Sequence, residues 1–166
     1  MGIHIVKDLA LRRTGVIVWS IFKDEIRIVR QWLHHYRTMG ASAFIVLDDQ
    51  SSDGTRELLA EQSDCLVLGS DEAYGALRDG KTAHEHWLDE IPRRHLQGRW
   101  GMLADADEFL ILPPPYERLD QFAADLDRIG EECCSAAMVD FYPEFVRDID
   151  VPLPPGRSPF EIAPFF

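Results

Sequence analysis

Three carboxylates fall within four positions directly after a short apolar run. The run covers residues 100–104, and Asp105, Asp107 and Glu108 follow it. Like charges so close together repel one another, and their removal from water is costly unless a cation or protons compensate. Two aspartates separated by one residue commonly bind a hard divalent cation together with a phosphate of the substrate. This stretch therefore predicts a site for a metal ion and a phosphate.

The position of these acids in the chain supports that prediction. If residues 100–104 form a buried strand, the acids lie at its carboxyl end, where open α/β sheets bind ligands. In extended backbone, residues two apart point the same way, so Asp105 and Asp107 are expected on one face and Glu108 on the other. The plain alternative is a solvated acidic turn. The apolar residues that follow the acids argue against it.

A second polar cluster, LDDQSSDGT, covers residues 47–55. Carboxylates at a strand end, here Asp48 and Asp49, can accept hydrogen bonds from a nucleobase N–H or from ribose hydroxyls. The segment also matches part of a calcium-binding EF-hand loop, but its twelfth position is Ala60 instead of glutamate and a strand precedes it, so we reject that interpretation. A capped strand–helix turn without a ligand remains open.

Two further groups of polar residues have more than one interpretation. Ser20, Lys23 and Glu25 stand at the end of the first predicted strand, where they either line a nucleotide pocket or charge the first helical turn. His84 and His86 are two residues apart and do not share a helix face, which argues against a metal pair. We interpret one of them as exposed and leave the other as a candidate near a phosphate.

Apolar runs alternate with amphipathic segments along most of the chain. Strands are predicted at residues 15–21, 43–47, 65–69, 100–104, 110–112 and 136–141, and helices at 24–39, 56–62, 81–90 and 119–129. Pro92 is expected to break or restart the third helix. Strands that alternate with helices predict a parallel α/β sheet with right-handed crossovers.

The bulk composition excludes several classes of function. The net charge of −12 argues against nucleic acid as a partner, and it would repel a nucleotide diphosphate unless metal ions bridge the two. Three cysteines without CxxC spacing fit a reducing compartment and no structural zinc. Neither a transmembrane segment nor a signal peptide is visible, so we expect a cytoplasmic protein and leave peripheral association with a membrane open.

Three motifs follow one another at successive predicted strand ends. They are KDE at residues 23–25, DDQSSDGT at 48–55 and DADEF at 105–109. In this order they resemble the family 2-like glycosyltransferases of the GT-A fold. The first helix adds QWL at 31–33, His35 and Gly40, which is similar to the branch of that family with a D-x-D-E-F metal motif. The resemblance covers roughly residues 14–112.

The resemblance implies a Rossmann-like, mostly parallel sheet flanked by helices in a single domain. It also implies transfer of a sugar, with inversion, from a UDP- or GDP-sugar to a hydroxyl of a glycan, lipid-linked or protein acceptor. Mg²⁺ or Mn²⁺ would be bound by Asp105 and Asp107. The implied nucleotide-sugar-binding residues are Ser20, Lys23, Glu25, Asp48, Asp49, Lys81, His84 and Asp105. For the general base, the resemblance points to Asp140.

The same resemblance divides the chain into three parts. Residues 1–13 are expected to be an N-terminal extension, residues 14–112 the nucleotide-sugar-binding core, and residues 113–166 the start of an acceptor-side region. Because the last part is rich in proline and ends on exposed aromatics, we expect the domain to be incomplete at its C-terminal end. A homo-oligomer is left open.

Three competing functions deserve comparison. A nucleotidyltransferase also uses paired acids, but it would normally carry a glycine-rich phosphate loop after the first strand, where residues 20–23 contain no glycine. A haloacid-dehalogenase-like phosphatase would place its D-x-D motif after the first strand. A truncated or degenerate GT-A domain that acts as a binding module remains the non-catalytic alternative.

Overall fold

The computed structural model describes residues 2–140. Seven strands and four helices follow one another in this part of the chain. They are β1 (Ile3–Lys7), β2 (Val16–Phe22), α1 (Val29–Thr38), β3 (Ala43–Asp48), α2 (Thr55–Ala60), β4 (Cys65–Ser70), β5 (Leu77–Arg78), β6 (Lys81–Thr82), α3 (Ala83–His95), β7 (Trp100–Leu103) and α4 (Leu119–Ile129).

Five of the strands form one mixed sheet in the order β1-β4-β3-β2-β7. Strand β2 runs parallel to both β3 and β7, and β3 runs parallel to β4. Only β1 departs from this direction, since it pairs antiparallel with β4. The predicted α/β class is confirmed: a mostly parallel sheet is flanked by helices in a single domain, an arrangement compatible with a Rossmann-like fold.

Both faces of the sheet are buried, which explains the continuous apolar runs of the central strands. In β3, Phe44 packs against the cluster that contains Trp32 of α1, whereas its neighbour Ile45 packs against the cluster that contains Trp87 of α3. Successive side chains of a strand point to opposite faces. Helices α1 and α3 therefore cover opposite faces of the sheet, and α4 lies on the α1 side through Leu119.

The parallel strands carry the predicted polar clusters to one edge of the sheet. Strands β2, β3 and β7 point the same way, so the segments that follow Phe22, Asp48 and Leu103 all leave the sheet at its carboxyl end. The prediction that the acidic motifs meet at this edge depends on that shared direction.

Several predicted elements differ from the structure. Helix α3 continues through Pro92, so the expected break is wrong; the N–H of Leu96 donates to the carbonyl of Pro92 at 2.9 Å, and buried Trp87 and Ile91 anchor the helix on the sheet. No strand forms at residues 110–112. Residues 136–140 are exposed and irregular, while Phe141 lies outside the described residues.

Three strands were not expected from the sequence. Strand β1 lies within the part interpreted as an N-terminal extension. Strands β5 and β6 form a small hairpin before α3, and β6 occupies the first two residues of the predicted third helix. Helix α1 begins at Val29, five residues after the predicted start, because the preceding residues form turns. Within residues 2–140, none of the helices has both the length and the apolar character needed to cross a lipid bilayer.

Candidate functional site

A cavity of about 450 Å³ opens at the carboxyl ends of β2 and β7. Its polar and aromatic lining residues come from four separate segments of the chain. They are Glu25, Arg27, Tyr74, His84, Asp105 and Asp107. Four of these six were predicted as site residues from the sequence. This volume lies within the range typical of small-molecule sites, roughly 300–1,000 Å³.

The two aspartates reach the cavity from a tight turn. The N–H of Glu108 donates to the carbonyl of Asp105 at 3.0 Å, and the N–H of Asp105 donates to Oε2 of Glu108 at 2.9 Å. The expected extended backbone is therefore replaced by a closed four-residue turn. Asp105 and Asp107 line the cavity, while the Glu108 carboxylate is engaged by the turn itself. We call residues 105–108 the acidic turn.

The electrostatics of the cavity favour a bound cation. Burial, reinforced by the negative charge of Asp107, raises the pKa of Glu25. Burial together with the charges of Glu108 and Asp107 also raises the pKa of Asp105, and His84 only partly opposes this. A raised carboxyl pKa means that burial and neighbouring like charges disfavour the ionised form, which a positive charge bound nearby would stabilise. A divalent cation would supply that charge.

Glu25 is positioned by the loop that follows β3. Its backbone N–H donates to Oγ1 of Thr55 at 2.8 Å, and the next N–H, of Ile26, donates to Oδ2 of Asp53 at 2.9 Å. Asp53 also accepts from the N–H and the hydroxyl of Thr55. Much of the SSDGT sequence therefore fixes the neighbouring loop.

Two further hydrogen bonds, one donated from each loop, join the same two segments. Oδ1 of Asp24 accepts a hydrogen bond from the N–H of Ser52 at 2.6 Å, and the N–H of Asp24 donates to Oγ of Ser51 at 2.9 Å. Asp24 and Gln50 both adopt left-handed backbone conformations, with φ of 56° and 58°. Such conformations are uncommon for residues with a Cβ and persist where surrounding bonds hold them, frequently at functional sites.

Several of the predicted binding residues lie outside the cavity lining. Ser20, Asp48 and Asp49 are fully buried. Oδ2 of Asp48 forms an ion pair with Arg56 at 2.6 Å, and Oδ2 of Asp49 lies 3.5 Å from Nζ of Lys23. The two aspartates therefore belong to the base of the loops and not to the cavity wall.

The remaining two predicted residues are also away from the cavity. Nζ of Lys81 lies 3.1 Å from Oδ2 of Asp89, so this lysine pairs along the surface near α3. Asp140, the predicted general base, is exposed in an irregular segment and does not line the cavity. The structure brings neither of them to the acidic turn.

Tyr74 and Arg27 are cavity residues that the sequence analysis missed. The Tyr74 ring stacks on His84, with centroids 4.4 Å apart and an interplanar angle of 23°. It also lies edge-on to buried Trp87 at 6.3 Å. The available signals were a single aromatic residue within the polar loop before α3 and a basic residue two positions after Glu25.

The donor set in the cavity fits a hard divalent cation only in part. Among residues 2–140, no group of three or more histidine, cysteine, aspartate or glutamate side chains is arranged to hold a metal ion. Asp105 and Asp107 would supply carboxylate oxygens, and oxygens of water and substrate would complete the coordination, as is usual for Mg²⁺. The metal therefore stays a prediction.

Comparisons of the chain with protein-family models, with curated proteins and with solved structures found no match.

Proposed function

We propose that this chain is a metal-dependent glycosyltransferase that uses a UDP- or GDP-sugar and transfers the sugar, with inversion, to a hydroxyl acceptor. The observation that carries the proposal is the meeting of Glu25, Asp105 and Asp107 in one cavity at the ends of neighbouring parallel strands. Ligands of open α/β sheets bind at this edge.

Each of the cavity residues would contact a different part of the donor. Asp105 and Asp107 would hold Mg²⁺ or Mn²⁺, which neutralises charge on the leaving diphosphate when it is bound. Arg27 lines the same cavity, and its guanidinium is suited to bind a phosphate group of the donor. Glu25 accepts a hydrogen bond from a ribose hydroxyl or from the nucleobase. Tyr74 presents its ring to the ligand.

The chemistry of transfer requires a general base for the acceptor hydroxyl. Asp140 remains our candidate for that base. Because it lies in an exposed segment away from the cavity, residues 2–140 are also consistent with a second candidate function, donor binding without transfer. Detection of a glycosylated product or of released nucleoside diphosphate would decide between the two.

Donor binding can be tested directly by calorimetry. UDP, GDP and the corresponding sugar nucleotides are titrated into the protein with Mn²⁺, with Mg²⁺ and with EDTA. The proposal predicts binding that requires the metal. Equal binding in EDTA, or no binding of any nucleotide, would overturn it.

A further inference from the structure

The segment that follows the acidic turn is attached to helix α1 through its backbone. The Tyr36 hydroxyl donates to the carbonyl of Glu108 at 2.9 Å and accepts from the N–H of Leu110 at 3.1 Å. One residue earlier on the same helix, Nε2 of His35 lies 2.9 Å from the carbonyl of Leu110. Three hydrogen bonds from two adjacent helical residues therefore meet residues 108–110.

These bonds join groups that are far apart in the chain. The backbone groups of residues 108–110 have few other hydrogen-bond partners. Residues 108–110 belong to no helix or strand, so their backbone polar groups are not paired within regular structure. Tyr36 is fully buried, and burial raises its pKa to about 12, which keeps the hydroxyl protonated as a donor. An unpaired carbonyl at this depth would be costly.

His35 can serve the same purpose in its neutral form. Burial lowers the pKa of its imidazole, and a carbonyl can only accept, so Nε2 carries the hydrogen that reaches Leu110. The ring also lies edge-on to Phe109, with centroids 5.2 Å apart. Side chain and backbone of the segment are thus both held against α1.

We infer that Tyr36 and His35 are positioning residues for the acidic turn, holding Asp105 and Asp107 in the geometry that binds the metal and the donor diphosphate. The inference rests on the proposed function for the role of the two aspartates. The turn is closed by its own two hydrogen bonds, and its last residue, Glu108, is the one that Tyr36 holds. The orientation of the turn in the cavity is therefore set from α1.

Tyr36→Phe isolates this role because it removes the hydroxyl and keeps the buried ring. Amide hydrogen exchange is measured at Asp105 and Glu108, whose N–H groups are bonded within the turn and not to Tyr36. We expect these two amides to exchange about tenfold faster in the variant. We also expect about tenfold weaker Mn²⁺-dependent binding of UDP or GDP, whichever the wild-type protein binds.

Ile91→Val provides a matched control for general loss of stability. Ile91 is fully buried on the opposite face of the sheet, and its truncation should destabilise the protein without reaching the turn. His35→Gln, which keeps a donor near the position of Nε2, should retain nucleotide affinity better than His35→Leu does. A purely packing role for His35 would not separate these two variants in that direction.

The outcomes separate this inference from the proposed function. Unchanged exchange at Asp105 and Glu108 in Tyr36→Phe overturns the inference, whatever the protein binds. Faster exchange with unchanged nucleotide affinity also overturns it. Faster exchange of the turn in a protein that never binds a nucleotide with metal refutes the proposed function, and it supports α1 as the element that holds the turn.

Discussion

The carboxylate of Glu108 accepts a hydrogen bond from the backbone N–H of Asp105 at 2.9 Å. This contact turns the third acid of the cluster back onto its own chain. It leaves Asp105 and Asp107 as the two members that line the cavity. The three carboxylates therefore have unequal roles: one closes the turn, and two face the space where a cation would reduce their repulsion.

Asp107→Asn tests the proposed role of this carboxylate in metal binding. The substitution keeps the size of the side chain and removes its charge, so we expect metal-dependent nucleotide binding to weaken by about a hundredfold. The melting temperature should not fall, because the wild-type carboxylate is exposed among other acids. Calorimetry with Mn²⁺ and UDP or GDP measures the effect. Exposed Glu117, in the loop before α4, provides the control as Glu117→Gln, and a similar loss in both variants would contradict the assignment.

Glu25→Gln is expected to stabilise the metal-free protein at neutral pH. Burial and the charge of Asp107 raise the pKa of Glu25 above its ordinary value of 4.5. A raised carboxyl pKa contributes stability that is fully present below the ordinary value and is lost as pH rises through the raised one. Removing the charge avoids this loss. Because the side chain is partly solvated, we expect a gain of only about 1–2 °C in melting temperature at pH 7.

The pH dependence of this gain provides its check. Thermal unfolding of wild type and Glu25→Gln is compared in EDTA between pH 4 and pH 8. The two curves should converge as pH falls below the ordinary pKa of glutamate, since both side chains are then uncharged. A variant that is less stable than wild type at pH 7 would show that the ionised Glu25 carboxylate is stabilised by nearby positive charge and is not destabilised by the neighbouring acids.

The strands and helices that the sequence predicts well are those whose burial shows in local composition. Strand β2 was predicted at residues 15–21 and occupies Val16–Phe22, and the limits of α4 agree with the prediction. In contrast, β1 pairs Ile3 with Ser70, a partner far along the chain that no local pattern reveals. The helix break predicted at Pro92 is wrong because the rule that proline interrupts helices takes no account of tertiary packing. Buried Trp87 and Ile91 stabilise α3 through that packing.

The sequence could predict only those features of the candidate site that follow from the positions of the strand ends. Asp105 and Glu25 follow parallel neighbouring strands, so their proximity follows from topology. Whether a side chain faces the cavity depends on which partner it pairs with, and the sequence alone does not show this. Asp48, for example, pairs with Arg56 instead of facing the cavity. Tyr74 reaches the cavity because its ring stacks on His84, and that contact requires the three-dimensional path of the intervening hairpin.

Tyr74→Ala should weaken nucleotide binding while leaving metal binding intact. The ring is half exposed and rests on His84, so it can stack against a flat ring of the ligand without rearrangement. Stacking of a base on an aromatic side chain contributes about 1–3 kcal/mol, and we expect roughly tenfold weaker binding of UDP or GDP. Tyr74→Phe, which keeps the ring, should bind within about twofold of wild type.

The control for Tyr74 is a neighbouring exposed apolar residue that does not line the cavity. Leu77→Ala, in strand β5, removes a side chain that is 79% exposed and should leave nucleotide affinity unchanged. Equal affinities for Tyr74→Ala and wild type would exclude stacking on this ring. Binding of Mn²⁺ alone, measured in parallel, shows whether the acidic turn is intact in each variant.

Arg56→Met is expected to lower the free energy of unfolding by about 3 kcal/mol, because it leaves the buried carboxylate of Asp48 without a positive partner. Oδ2 of Asp48 is paired with Arg56 at 2.6 Å, and the Asp48 side chain is fully buried. Its other oxygen, Oδ1, has no hydrogen-bond partner within residues 2–140, so the arginine carries most of the compensation. Denaturation by urea measures the loss. Arg128→Met, which breaks an exposed pair with Asp125, should change stability by less than about 0.5 kcal/mol.

A second substitution distinguishes two causes of this loss, the unpaired carboxylate of Asp48 and the lost packing of the aliphatic part of Arg56. If the uncompensated carboxylate dominates, Asp48→Asn in the Arg56→Met background should recover part of the lost stability, since an amide is less costly to bury than a carboxylate. If packing of Arg56 dominates, the double variant should be no more stable than Arg56→Met. The recovery also bears on the site, because Asp48 accepts from the N–H of Ser51 in the loop that positions Glu25.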